Sequence, residues 1–210
     1  ASPTLGADEY EINFRPDPTL FDGRFANNGW LQEVPKPVTR ICWDNAAYVS
    51  AATAKKLDLD KDFRWTGGER GRTEVSVVTL TYQGRSIKLP VWLLPGHPDG
   101  AITVHLGHGR ERAGAHVGNN PGQGPNAEGK QVRGSNAFAL RTAATPAFGT
   151  GAKLAKTTDH YLLACVQANW VMTQVDPLNG TVIDRAPVRR GTNEQYKTNP
   201  WFAKITPTPQ

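Results

Sequence analysis

Two short runs of strand-like composition, separated by only two residues, constrain this chain more than any other feature. "EVSVVTLTY" (residues 74–82) and "RSIKLPVWLL" (residues 85–94) flank Gln83 and Gly84. A two-residue connection between strands predicts a tight β-hairpin, although Gln-Gly is a weaker signal than Asn-Gly. Pro90 cannot donate to a sheet ladder, so the second strand is expected to be bulged or at an edge. Further short runs read as strands: "VTRICW" (38–43), "AITVHL" (101–106), "NAFALRT" (136–142) and "HYLLACVQ" (160–167). "SAATAKKL" reads as a short helix, with Ser50 capping its first turn, Val49 stapling onto Ala54 and Leu57 ending it.

The chain has 210 residues, 38% of them hydrophobic, which is enough for a packed core. With Gly 21 and Pro 16, many turns and few long helices are expected. No internal repeat is visible. The sum is a mainly β fold with short helices, spanning residues 38–168, between extended arms at 1–37 and 169–210. The first arm shows no lasting periodicity, and Phe14, Leu20, Phe21, Phe25, Trp30 and Leu31 are its expected anchors. Phe14, Phe21, Phe25 and Trp30 in particular suggest an arm that docks on protein.

Charge is unevenly placed. Residues 1–34 carry Asp8, Glu9, Glu11, Asp17, Asp22 and Glu33 against Arg15 and Arg24, a net of −4. Residues 107–156 carry seven Lys and Arg against Glu111 and Glu128, a net of +5. Such a centre suits an anionic partner or a solvated basic face. It forms no basic helix or aromatic-interleaved stripe, so nucleic acid is not expected. No apolar run is long enough to cross a bilayer and no signal-peptide pattern opens the chain. The start "ASPTLG", without Met, suggests a processed protein or a piece of a longer one.

The frame G-x-x-x-x-G-K occurs at "GPNAEGKQ" (124–131), but a phosphate loop needs a strand before it, a helix after it and a hydroxyl for magnesium. None of the three is present, since Gln131 stands where Ser or Thr belongs. "GHGRERAG" lacks the third glycine of a dinucleotide fingerprint. Val104 and Leu106 should face one way and His105 the other, while His108 and His116 fall in a loop without fixed partners, so no metal site is expected. Ser50, Ser76, Ser86 and Ser135 have no nucleophile-elbow context, Asp44, Asp58, Asp60 and Asp62 form no evident pair, and no catalytic residue is predicted. Cys42 and Cys165 sit in apolar runs and read as buried small hydrophobes. Whether they pair in a disulfide is left open by the sequence.

One combination is more specific. A strand leading into a capped helix that ends "AKKLDL", the pair around "YQGRSIKLPVWLLPG", the strand "ITVHLGHG", a Gly-rich loop and "GSNAFALRT" together resemble the dinucleotide-binding domain at the carboxyl end of molybdopterin oxidoreductases. "FANNGWLQEVPKPVTRICWDNAAYVS", "GHGRERAG", "NAFALRT", "LLACVQ" and "NEQYKTNPWF" are similar to the molybdopterin oxidoreductase-like subunit of bacterial alternative complex III, a quinol oxidoreductase. The resemblance covers most of residues 10–203 and implies a double-psi β-barrel. It implies a structural or interaction domain of that large subunit, peripheral to the membrane on its periplasmic side. The expected partners are the rest of that subunit and the other subunits of the complex. No cofactor is then expected in this chain; the alternative is a molybdopterin guanine dinucleotide-binding domain of an active molybdenum oxidoreductase. In that case the resemblance places the ligand on Asp44, Asn45, Gly107, His108, Gly109, Arg110, Gly118, Asn119 and Asn136, whose loops would converge at one end of the barrel. The simpler reading of those residues is that they cap the barrel and satisfy loop backbone. The insert "NNPGQGPNAEGKQVR" lengthens the loop that would cover a pterin.

Overall fold

The computed structural model describes residues 5–62, 64–66, 72–110, 134–166 and 190–202. Chain contacts divide the molecule into two units, Ala1–Trp65 with Arg72–Ala168, and Thr66–Gly71 with Asn169–Gln210. In the second, helix α3 (Asn193–Thr198) begins with a reciprocal capping box between Thr192 and Gln195. The rest of the expected carboxyl-terminal arm lies mostly outside the described residues.

The first unit contains strands β1 (Tyr10–Arg15), β2 (Ala47–Val49), β4 (Arg72–Tyr82), β5 (Arg85–Leu93), β6 (Ala101–His105) and β7 (Phe148–Leu163), with Arg64 and Trp65 of β3 (Arg64–Thr66). Hydrogen bonding runs in the order β3-β4-β5-β2-β6-β1-β7, and β7 returns to pair with β4. Six strands therefore close into a barrel of mixed direction, with β1–β6 and β2–β5 parallel and the other pairs antiparallel. Closure removes the long open edges that an extended sheet would present.

The hairpin forms as expected. Gln83 (φ 48°) and Gly84 (φ 76°) both take positive φ, the signature of the turn whose twist matches its flanking strands. Helix α2 (Ala51–Lys56) is capped by Ser50, whose hydroxyl accepts from Thr53 N at 3.1 Å. Helix α1 (Gly29–Glu33) is capped by Asn28 in the same way. Pro90 is neither at an edge nor in a bulge. It is the last residue paired with β4, immediately before Val91 pairs with β2, so it sits where β5 changes partners.

Several expectations are corrected. Residues 1–37 are not wholly an arm: β1 lies inside the barrel, and Tyr10, Ile12 and Phe14 alternate into its core. Residues 38–43 form no strand, because Arg40 (φ 61°) and Trp43 (φ 65°) turn the backbone and leave a single bridge from Ile41 to Cys165. "NAFALRT" is a short 3-10 turn at Ala137–Ala139, begun by Asn136, which accepts from Phe138 N. Of the strand expected at 160–167, residues 160–163 are the end of β7, which starts at Phe148, and Gln167 lies outside the described residues.

Two apolar clusters result, on opposite faces of β4, and the ladder between β4 and β7 carries an irregularity. Val78 pairs with Lys156 and Ser76 with His160, so three residues of β7, 157–159, stand opposite Val77 alone. Side chains alternate along a strand, so Val78, Leu80 and Tyr82 of β4 face the barrel interior and Val75 and Val77 the other side, and the offset of two residues on β7 leaves that alternation in step. Val78, Leu80 and Tyr82 join the interior cluster with Ile12, Phe14, Leu89, Ile102 and Val104. Val75 and Val77 join the second, with Ile41, Tyr48, Tyr161 and Leu163. The interrupted ladder is repaired by Thr157, whose hydroxyl donates to Val77 O at 2.7 Å.

Candidate functional site

β1 and β6 run parallel and end together, and β2 runs antiparallel to β6. The residues after β1, those after β6 and those before β2 therefore meet at one end of the barrel. Residues 134–136 join them there. This mouth is polar but buried, so each of its charged and amide groups needs a partner.

Asp44 and Asn45 are fully buried. Asp44 accepts from Gly134 N at 2.8 Å on Oδ1 and from the Tyr161 hydroxyl at 2.9 Å on Oδ2. Asn45 donates from Nδ2 to His105 O at 2.8 Å and Ser135 O at 2.9 Å, and its Oδ1 accepts from Ser135 N at 2.8 Å. One amide side chain thus satisfies three backbone groups on two segments.

Beside this lies a buried charge cluster centred on Asp17. Its Oδ1 accepts from Thr19 N, Thr19 Oγ1 and Leu20 N at 2.9, 2.7 and 3.1 Å, which fixes a tight turn after β1. Its Oδ2 is 3.0 Å from His108 Nε2, 3.5 Å from Lys36 Nζ and 3.8 Å from His105 Nδ1. Lys36 also donates to Asp44 O at 3.0 Å, and Tyr48 OH is 3.3 Å from His105 Nδ1. The side chains of Asp17, Lys36 and His108 are 0%, 3% and 1% exposed, so water screens little of this interaction.

Burial pushes the Asp17 carboxyl upward, yet the hydrogen bond and attraction of His108, with the Lys36 ammonium, hold it well below the usual carboxylate range. His105 moves the other way. Burial outweighs the pull of Asp17 and lowers its imidazole to about 4. Burial also raises the Tyr48 phenol, so it remains a neutral hydrogen-bonding group.

The glycines of the mouth are filled by the chain itself. A Cβ on Gly134 (φ +69°) would lie 2.7 Å from His108 Cβ, and one on Gly107 (φ +93°) 2.7 Å from Gly23 N. One on Gly109 would overlap the backbone of Ser135 and Asn136. Each glycine permits a close approach of two protein segments.

Asp44, Asn45, Gly107, His108, Gly109 and Asn136 all lie at this mouth. Arg110 is exposed at the rim, and Gly118 and Asn119 lie outside the described residues. His108 departs from expectation: it has a fixed partner and is buried. Its Nδ1 has no hydrogen-bond partner among the described residues. No group of three or more His, Cys, Asp or Glu among the described residues could hold a metal ion, and no helix there is long and apolar enough to cross a membrane.

Asp17, Lys36, Gly134, Ser135 and Tyr161 are site residues that sequence reasoning does not pick out. Only Asp17 carries a local signal, the Asp-Pro-Thr of a side-chain-closed turn. Comparison with protein-family models and with curated proteins finds no match to this chain.

Proposed function

We propose that this chain is a structural, interaction-type domain: a double-psi β-barrel from a molybdopterin oxidoreductase-like subunit of a membrane-associated quinol oxidoreductase of the alternative complex III type. It would act on the periplasmic side, held by the rest of its subunit and by neighbouring subunits. Support comes from the sequence resemblance and from the closed mixed barrel. The observation that carries the reading is the occupied mouth. Asp44 and Asn45 spend their side chains on Gly134, Ser135, His105 and Tyr161, and the space beside Gly107, Gly109 and Gly134 is filled by protein. Groups so engaged brace a scaffold and offer little to a dinucleotide.

The rival is a molybdopterin guanine dinucleotide-binding domain of an active molybdenum oxidoreductase. One observation favours it, the buried Nδ1 of His108, which has no hydrogen-bond partner among the described residues. Elemental analysis and nucleotide extraction from the full-length protein separate the two. The structural reading expects neither molybdenum nor guanine dinucleotide, and stoichiometric amounts of both overturn it.

A further inference from the structure

We propose that Asp17, Lys36, His105 and His108 form an acid-released latch that holds the segment 16–37 on the mouth of the barrel. The segment contributes Asp17 and Lys36, β6 contributes His105, and the turn after β6 contributes His108. A single carboxylate oxygen, Asp17 Oδ2, faces all three basic groups within 4 Å.

Apolar anchoring of the segment is slight. Leu20 and Ala26 are buried, while Phe21, Phe25, Val34 and Trp30 are exposed, Trp30 by 82%. Its attachment therefore leans on polar contacts, which are strong in a dry site only while the charges balance. Asp17 Oδ2 already faces Lys36 at 3.5 Å and His108 at 3.0 Å. A proton on His105 adds a further cation against the same carboxylate. The other groups near the His105 ring are His108, Arg15 at the end of β1 and the Tyr48 hydroxyl on β2, and none of these supplies an anion. The Asp44 carboxylate is engaged with Gly134 N and Tyr161 OH.

The direction follows from linkage. With the segment released and water admitted, His105 would titrate towards its ordinary 6.5, whereas under the closed segment it titrates at about 4. The open form binds the proton more tightly. Latching is therefore fully retained above pH 6.5 and weakens as pH falls from 6.5 towards 4, by up to roughly a hundredfold in the closing equilibrium. Titration of Asp17 acts at lower pH and does not share this window.

Hydrogen–deuterium exchange of the 210-residue chain from about pH 7.5 to about 4.5, corrected for intrinsic exchange rates, tests the latch. The expected result is that amides of 17–37 open roughly a hundredfold more often at the acid end while the β4–β5 hairpin stays protected. In His105→Asn the opening should not vary with pH. A pH-independent opening of the segment in the natural chain, or an equal rise in His105→Asn, overturns the proposal. Should that variant fail to fold, NMR titration of His105 in the natural chain decides. A midpoint below about 5.5 supports the latch and a midpoint at or above that value overturns it.

Discussion

Asn45 and Ser135 grip each other reciprocally across 90 residues of sequence: Ser135 N donates to Asn45 Oδ1 at 2.8 Å, and Asn45 Nδ2 donates to Ser135 O at 2.9 Å. A side-chain amide here imitates a neighbouring strand. Asn45→Ala leaves both Ser135 groups and His105 O without this partner in a buried site. We expect a loss of roughly 2–4 kcal/mol in stability, read by chemical denaturation. Asn45→Asp should be no better, since a carboxylate would face two carbonyl oxygens. A loss below about 1 kcal/mol for both would show that the mouth rearranges around the gap.

Gly134 and Gly84 give a controlled pair of substitutions. Both have positive φ, but a Cβ at Gly84 meets nothing within 4 Å, whereas one at Gly134 meets His108 Cβ and Asn45 Oδ1. Gly84→Ala should cost about 1 kcal/mol, the backbone term alone. Gly134→Ala should cost at least about 1–2 kcal/mol more, from forced displacement in a packed site. Equal shifts in thermal midpoint would mean that His108 moves aside freely.

The Asp17–Lys36 pair should show the asymmetry of buried ions. Asp17→Asn leaves Lys36 buried without its carboxylate and should cost roughly 3–5 kcal/mol. Replacing both, Asp17→Leu with Lys36→Met, should recover part of that loss. The Asp17 carboxyl is depressed in the folded state, so its contribution is fully present above about 3.8 and is lost as pH falls below that value. Acid unfolding of Asp17→Asn should accordingly lack this steep final loss.

The two cysteines should remain thiols. Both are free in this structure, Cys42 Sγ donating weakly to Arg40 O at 3.9 Å and Cys165 Sγ to Thr39 O at 3.4 Å. Burial pushes Cys165 up to about 11 and raises Cys42 as well. Alkylation of the native chain near neutral pH should be about a hundredfold slower at Cys165 than at a free thiol, and denaturation without reductant should release two alkylatable sites, counted by mass spectrometry. Recovery of a linked Cys42–Cys165 peptide would contradict this geometry.

Thr157→Val keeps the shape at the β4–β7 irregularity but removes the hydroxyl bonded to Val77 O. A loss of about 1 kcal/mol is expected by denaturant titration. Thr157→Ser should retain most of that bond.

What can be read from the sequence divides by distance along the chain. The hairpin at Gln83–Gly84 and the Ser50 cap depend on residues within a few positions of each other, and both are legible. β7 is recognisable only at its end, because its first half, "FGTGAKLAK", carries glycines and lysines and becomes a strand through partners on β1 and β4. The strand β1 hides within an expected arm for the same reason, since its alternation of Tyr10, Ile12 and Phe14 acquires meaning only beside β6 and β7. At the mouth, sequence pattern finds the glycines and amides but not their use. The partner of His108 lies 91 residues earlier, and no local pattern connects the two.

Closure by β7 also sets an order in time. A growing chain emerging from the ribosome holds β1, β4, β5, β2 and β6 before β7 exists, yet β7 alone joins β1 to β4. Until β7 has been made, β1 must wait with one side unpaired, a template for any other extended segment. The hairpin can form early from local contacts, but the barrel can form only once β7 is present, through pairings such as Val75 with Tyr161. Truncation before residue 148 should therefore yield an aggregating chain and not a smaller barrel.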